Sequence, residues 1–197
     1  MKNIALFASG AGSNAENIIK YFKNHPEVRV DSVWSNKKTA FALQRALNLG
    51  VESHHFTRFE FIETNFLLKE LQKRKIDLIV LAGFLWLVTP EFVEKFKIIN
   101  IHPALLPAHG GKGMYGSFVH EAVLKNQEKE SGITIHLVDK EYDKGAHLLQ
   151  VKCPVFSTDS VETLAARIHE LEYIYFPIAI EEYLCPKTPQ NNQSIEV

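Results

Sequence analysis

An amide and an imidazole stand two residues apart near the middle of the chain, where Asn100 and His102 precede Pro103. The apolar run 97–101 predicts a buried strand, and residues i and i+2 of a strand point to the same face. Both side chains would then lie at the carboxyl edge of an open sheet, where α/β proteins bind ligands. An amide N–H beside an imidazole suits stabilisation of an oxyanion. The alternative is a polar strand end whose side chains cap nearby backbone.

A second candidate is the charged loop 139–145, which carries three carboxylates between two late apolar runs. Those runs, 132–138 and 147–155, are separated by too few residues for a helical crossover, so they should pair antiparallel. A carboxylate of this loop could reach the sheet-edge histidine, raise its pKa and orient its ring. A solvated hairpin loop is the alternative.

The third candidate is the segment Ser9-Gly10-Ala11-Gly12-Ser13-Asn14, between the first predicted strand and the first predicted helix. Unpaired backbone N–H groups at a helix N-terminus, together with the helix dipole, attract a phosphate. The segment is not a dinucleotide fingerprint, because Ala15 stands at the third glycine position, and it lacks the Gly-Lys-Ser/Thr of a Walker loop. A tight turn with Ser13 as helix cap remains the alternative.

Metal and serine-hydrolase chemistry find little support in the sequence. Nine histidines occur, but none lies in a His-Glu-x-x-His motif, and no Cys-x-x-Cys motif is present. Ser13 and Ser117 are not in Gly-x-Ser-x-Gly elbows. We therefore predict no metal and no serine nucleophile.

Composition restricts the partners and the compartment. Lys plus Arg total 22 and Asp plus Glu total 23, so the net charge of −1 provides no field that would collect nucleic acid. Two cysteines suit a reducing compartment. The most apolar window, 76–88, is shorter than the roughly 20 residues that span a bilayer. The short apolar run after Met1 does not resemble a signal peptide. We predict a cytoplasmic protein without nucleic-acid or membrane partners.

Short apolar runs alternate with amphipathic segments, which predicts an α/β fold with right-handed crossovers. We expect a Rossmann-like mixed sheet of about seven strands, parallel in the N-terminal half, with an antiparallel C-terminal hairpin and helices on both faces. The predicted strands are 2–8, 28–34, 51–56, 76–82, 97–101, 132–138 and 147–155. The predicted helices are 13–23, 39–49, 59–75, 118–126 and a long one from about residue 160.

We predict two further features of the last helix: a capping box formed by Asp159 and Glu162, and an end or kink at Pro177. Residues 1–185 would form a single domain, followed by a polar tail at 186–197.

Four motifs together resemble one known family. They are Ser9-Gly-Ala-Gly-Ser-Asn14, Leu81-Ala-Gly-Phe84, Asn100-Ile-His-Pro-Ala-Leu-Leu-Pro107, and Gly132-x-Thr134-Ile-His136 leading to Asp143-x-Gly145. From residue 2 to about 184 the chain resembles the phosphoribosylglycinamide formyltransferases, which are folate-dependent enzymes of purine biosynthesis. Methionyl-tRNA formyltransferases and formyltetrahydrofolate hydrolases are similar as well, but their additional domains are not expected in 197 residues.

The resemblance implies a site made of three groups of residues. Catalysis would fall to Asn100, His102 and Asp143. Glycinamide ribonucleotide would be bound by Gly12, Ser13, Asn14, His169 and Glu172. The folate would be bound by Leu85, Trp86, Leu87 and Val88, together with backbone of Asp139, Lys140, Glu141 and Tyr142. Trp86 stands where many members of the family carry arginine.

The implied reaction is formyl transfer from N10-formyltetrahydrofolate, the co-substrate, to the amine of glycinamide ribonucleotide, without a metal. Asn100 and His102 would stabilise the oxyanion, and Asp143 would keep His102 protonated and help remove the amine proton through water. The partners would be these small molecules, with a monomer or a homodimer both open. Two alternatives remain, a formyltransferase for another amine such as a nucleotide sugar, and a non-catalytic nucleotide-binding module.

Overall fold

A seven-stranded mixed sheet forms the centre of the protein, for which the computed structural model describes residues 1–186. The strand order is β3-β2-β1-β4-β5-β6-β7. The strands are β1 (Lys2–Phe7), β2 (Val28–Ser35), β3 (Glu52–His55), β4 (Leu78–Leu81), β5 (Lys97–His102), β6 (Glu130–Leu137) and β7 (His147–Pro154). The first five run parallel, whereas β6 is antiparallel to both β5 and β7. The predicted sheet, with its parallel half and antiparallel hairpin, is confirmed.

Helices cover both faces of this sheet, as predicted. They are α1 (Ser13–Phe22), α2 (Phe41–Asn48), α3 (Arg58–Ile62), α4 (Phe66–Lys73), α5 (Pro90–Lys95), α6 (Ser117–Lys125) and α7 (Val161–Leu184). Alternate residues of β1 face opposite sides, so Ile4 packs with α1, α2, α6 and α7, and Phe7 packs with α3, α4 and α5. The core is therefore two apolar layers with the sheet between them, and the polar strand ends are left for a site.

The single helix predicted for residues 59–75 is wrong, because the chain forms α3 and α4 with a break between them. Thr64 causes the break. Its hydroxyl donates to the Glu60 carbonyl and accepts from the Phe66 N–H, and such local bonds compete with the helical pattern. The short helix α5 was also absent from the prediction.

The capping box predicted for α7 is wrong in its residues. Ser160 caps the helix and Thr163 completes the box, because both Asp159 oxygens are bound by the Arg167 guanidinium. These hydrogen bonds and charges hold the pKa of Asp159 far below its usual value. The helix does begin beside residue 160, as expected.

Pro177 does not end α7, which continues to Leu184. Proline lacks an N–H, so the carbonyl four residues earlier, on Tyr173, loses its helical donor. The side chain of Asn17 on α1 replaces that donor, at 2.8 Å from the Tyr173 oxygen. Tertiary packing thus satisfies the carbonyl at which the local rule would have ended the helix.

The predicted polar tail falls almost entirely on residues 187–197, which lie outside the described part of the chain. Within residues 1–186, no helix is both long and apolar enough to cross a bilayer.

Candidate active site

The carboxyl ends of β1, β4 and β5 open into one cleft of about 840 Å³. Strand β1 lies between β2 and β4, so the chain departs from it in both directions, and such a point is where open α/β sheets bind ligands. The cleft is lined by segments 9–14, 81–88, 100–103 and 111–117 and by residues of the 141–143 loop and of α7. All three groups of predicted site residues reach it, although not with every member.

One end of the cleft is an anion cradle, formed by the loop before α1. Gly12 caps this helix with a φ of 74°, and no side chain caps its first N–H groups. Those groups are therefore available to a phosphate, and the helix dipole favours it. The loop is held from behind, because the Ala42 N–H donates to the Gly10 carbonyl and Arg45 donates to the Ala11 carbonyl. Exposed Lys37 adds a positive charge at the rim.

Beside the cradle lies a buried carboxylate on α7. Glu172 is 5% exposed, and its Oε2 accepts from Asn14 Nδ2 at 2.8 Å and from His169 Nδ1 at 2.9 Å. The other oxygen, Oε1, has no protein donor among residues 1–186. Asn14, His169 and Glu172, which the resemblance places in one substrate site, are thus in contact, and their binding of the ribonucleotide stays a prediction.

We expect Glu172→Gln to lower the pKa of His169. The hydrogen bond and charge of Glu172 raise this pKa above its ordinary value, whereas burial acts in the opposite direction. An NMR titration of His169 in the variant should shift to lower pH. Glu170→Gln, which changes a neighbouring exposed carboxylate, is the matched control and should leave the titration in place. Equal titrations in all three proteins would contradict the pairing.

At the other end of the cleft Asn100, His102 and Asp143 converge, as predicted. Asp143 Oδ2 lies 3.6 Å from His102 Nδ1, and both side chains are largely buried. Asn100 and His102 occupy one face at the end of β5. An amide, an imidazole and a carboxylate thus surround one point at the cleft wall.

The glycine-rich loop after Pro107 holds this group from the other side. His102 Nε2 donates to the His109 carbonyl at 2.8 Å, and the Gly111 N–H donates to Asp143 Oδ2 at 2.9 Å. His109 and Asp143 both adopt left-handed backbone, with φ of 54° and 55°. Non-glycine residues in this region are uncommon and recur at functional sites. A Cβ at Gly110 would lie 2.5 Å from Leu106 Cδ2 and 3.4 Å from Asp143 Cβ, so the loop packs closely on both residues.

The structure does not support a His102 that Asp143 keeps protonated at rest. Burial lowers the pKa of His102, and this outweighs the opposing effects of Asp143 and the His109 carbonyl. Burial alone would raise the pKa of Asp143, but the neighbouring imidazole rings and the hydrogen bond from the Gly111 N–H bring it below its usual value. The site at rest is therefore an ionised Asp143 beside a neutral imidazole.

His136 belongs to the same group, although the sequence had indicated it only as part of a motif. Antiparallel pairing places it directly opposite Asn100, and its Nε2 lies 3.1 Å from Asn100 Nδ2. The spacing of Thr134 and His136 at i and i+2 on β6 matches that of Asn100 and His102 on β5. This equal spacing is the one sequence feature that could have indicated His136 as a site residue. Only the register between β5 and β6 shows that His136 faces Asn100.

His120 is a second cleft residue that the sequence did not single out. It lies on α6, is 4% exposed, and its Nδ1 has no hydrogen-bond partner among residues 1–186. Burial, followed by the charge of His169, lowers its pKa. A histidine on an apolar helix face offers no distinguishing pattern in a single sequence.

The folate wall predicted from the resemblance is only partly present in the cleft. Residues 85–88 line it, with Leu85 and Leu87 exposed and Trp86 resting on Phe56, Phe61 and Phe84. Glu141 and Tyr142 line it as well. Asp139 and Lys140 do not, because Lys140 pairs with Glu94 and Asp139 accepts from the Glu141 N–H.

Within the described residues, no three His, Cys, Asp or Glu side chains are grouped so that they could hold a metal ion.

An open α/β sheet that brings an anion cradle and an acid–base group into one cleft is the framework of an enzyme acting on a phosphorylated substrate. A family model described as formyl transferase matches residues 2–180. The chain therefore belongs to the formyl transferase family.

Comparison with individual relatives shows which members of the family this chain is similar to. The phosphoribosylglycinamide formyltransferase of Haemophilus influenzae is 37% identical over 188 residues, covering 92% of this chain and 86% of the relative. That of Escherichia coli is 36% identical over 185 residues, covering 90% and 85%. The crystal structure of glycinamide ribonucleotide transformylase 1 from Symbiobacterium toebii has a TM-score of 0.84 and 32% identity, covering 93% and 87%. Within the family, the chain belongs with the phosphoribosylglycinamide formyltransferases, as its motifs had indicated.

Proposed function

We propose that this protein transfers the formyl group of N10-formyltetrahydrofolate to the amine of glycinamide ribonucleotide. The observation that carries the proposal is the single cleft in which the uncapped N-terminus of α1 opens at one end and Asn100, His102 and Asp143 meet at the other. A non-catalytic nucleotide-binding module would need the cradle but would have no use for the second group. The family membership of the chain supports the same reaction.

The substrates have complementary places along the cleft. The ribonucleotide phosphate would bind the N–H groups of Ser13 and Asn14, and the ribose hydroxyls would donate to Glu172 Oε1. The glycinamide amine would then extend toward Asn100 and His102. The folate would lie against residues 85–88 and the 141–142 loop, where exposed leucines and a tryptophan provide an apolar wall for a flat ring system.

The amine is the nucleophile, so the protein needs no covalent residue. Its lone pair attacks the formyl carbon, and the carbonyl oxygen becomes an oxyanion that Asn100 Nδ2 can bind by a hydrogen bond. His102 can add a second hydrogen bond if its Nε2–H leaves the His109 carbonyl for the oxyanion. The C–N10 bond then breaks, and N10 takes up the proton that the amine loses, which passes through water and Asp143. Ionised Asp143 accepts the amine proton through water, and as the oxyanion develops its negative charge raises the proton affinity of His102.

The finer predictions remain part of this proposal. The protein would work in the cytoplasm on two small molecules, without nucleic acid, membrane or metal, and residues 1–185 would act as one formyltransferase domain. The alternative function is that of a formyltransferase acting on a nucleotide sugar. The two functions can be distinguished by which substrate stabilises the protein against heat. Glycinamide ribonucleotide should raise the melting temperature, and sugar nucleotides should not.

The decisive experiment follows loss of the formyl group from a formyl-folate with and without glycinamide ribonucleotide. Turnover should require the ribonucleotide, and His102→Ala should reduce kcat at least about 100-fold, since one oxyanion donor contributes about 10²–10³ in rate. His147→Ala removes an exposed histidine on β7, outside the cleft, and should retain wild-type turnover. Ribonucleotide-independent loss of formyl, or an active His102→Ala, would overturn the assignment.

A further inference from the structure

The amide of Asn100 has a fixed neighbour on the adjacent strand. His136 is 2% exposed, and each of its ring nitrogens meets a defined group. Nδ1 lies 2.9 Å from the Leu137 carbonyl, and Nε2 lies 3.1 Å from Asn100 Nδ2. Asp143 Oδ1 is 3.6 Å from Nε2, which is beyond hydrogen-bond distance. The ring therefore lies between the backbone of its own strand and two members of the catalytic group.

These contacts determine which nitrogen of His136 carries a proton. A carbonyl oxygen can only accept, so Nδ1 must be the protonated nitrogen that donates to Leu137. Asn100 Nδ2 can only donate, so Nε2 must present its lone pair. The two contacts are compatible only with the neutral Nδ1–H tautomer.

The tautomer in turn determines which way the Asn100 amide faces. If the amide were rotated by 180°, its oxygen would oppose the lone pair of Nε2 and the hydrogen bond would be lost. In the observed orientation one N–H of Asn100 is bound by His136, and the second N–H stays available to the cleft. An amide oxygen in that place would repel an oxyanion instead of stabilising it.

We propose that His136 is a positioning residue that holds the Asn100 amide with its free N–H directed at the formyl oxygen. The proposal rests on the formyl-transfer function above, and it assigns His136 no contact with either substrate. Its effect should therefore appear in kcat rather than in KM, because the amide contributes only when charge develops on the oxygen.

Two substitutions test the hydrogen-bonding roles of the two His136 ring nitrogens one at a time. His136→Gln keeps a hydrogen-bond acceptor near the position of Nε2 and should stay within about tenfold of wild-type kcat. His136→Asn keeps a donor near the position of Nδ1 but loses the distal acceptor. We expect it to lower kcat about 100-fold, the effect of one oxyanion donor, with both KM values within about threefold of wild type.

A double-mutant cycle tests whether His136 acts through Asn100. In the Asn100→Ala background, His136→Asn should lower kcat by less than about threefold further, because the amide that it orients is already absent. A full additional 100-fold loss would overturn the proposal, as would equal activity of the Asn and Gln variants. If the wild-type protein transferred no formyl group at all, the proposed function would fail rather than this inference alone.

The proposal can also be tested on the unsubstituted protein, so that it does not depend on whether the variants fold. The ¹⁵N imidazole resonances of His136 should report a protonated Nδ1 and an unprotonated Nε2 near neutral pH. The Nε2–H tautomer would contradict the proposal whatever the variants do.

Discussion

Asp143→Asn is expected to lower kcat at least about 100-fold and to leave the fold intact. Asparagine tolerates left-handed backbone better than most residues, so the φ of 55° at this position can be kept. The remaining side-chain oxygen can still accept the Gly111 N–H. What disappears is the ionised acceptor for the amine proton and the charge that raises the proton affinity of His102.

The same variant has a second, independent readout in the titration of His102. Burial lowers the pKa of His102 and the charge of Asp143 raises it, so removal of that charge should move the titration to still lower pH. An NMR titration of the imidazole in wild type and variant gives the comparison. Both the loss of turnover and the titration shift should be absent in Asp139→Asn, whose carboxylate lies in the same loop but outside the cleft.

Wild-type turnover in purified Asp143→Asn would remove Asp143 from the catalytic group. An unchanged His102 titration would show that the 3.6 Å approach has no electrostatic consequence.

The second large effect is expected from Gly12→Ala in the anion cradle. At a φ of 74° an L side chain is strained by about 1–2 kcal/mol. The new Cβ would also lie 2.4 Å from Ala42 Cβ and 2.5 Å from Ala42 Cα, and such overpacking costs about 1–3 kcal/mol. We expect the free energy of unfolding to fall by about 2–5 kcal/mol, the sum of the two costs. The KM for the ribonucleotide should rise strongly, because α2 and the loop must separate.

Gly10→Ala is the matched control for this substitution. Gly10 lies two residues away in the same loop, has no positive φ, and a Cβ there would meet no atom within 4 Å. Its free energy of unfolding, measured by urea denaturation, should change by less than about 0.5 kcal/mol, as at surface sites. Comparable losses in both variants would mean that the close approach of Gly12 to α2 does not matter.

Sequence patterns predicted the sheet and most of the site because they depend on local chemistry. A buried parallel strand needs a continuous apolar run, as in β4, and an uncapped helix start needs small residues, as at Gly12. Asn100 and His102 could be placed on one face from their spacing alone, and the resemblance added Asp143, His169 and Glu172. These residues do meet in one cleft.

Predictions failed where a distant partner overrides a local rule. Of the two outcomes predicted at Pro177, an end or a kink, the end does not occur, because Asn17, 160 residues earlier, supplies the missing donor. Asp159 leaves the capping box because Arg167 binds both its oxygens. Lys140 turns away from the cleft toward Glu94 on α5.

By itself, then, the sequence determined the seven strands along the chain, most of the helices, the chemical types at the sheet edge and the family of the chain. The tertiary structure decided the proton positions. Burial lowers the pKa of His102, the register of β5 against β6 places His136 opposite Asn100, and the loop of His109 and Gly111 closes around Asp143. The physical reason is that burial and strand register arise only when distant segments of the chain meet. Both affect which groups carry protons, and neither can be read from the residues next to those groups in sequence.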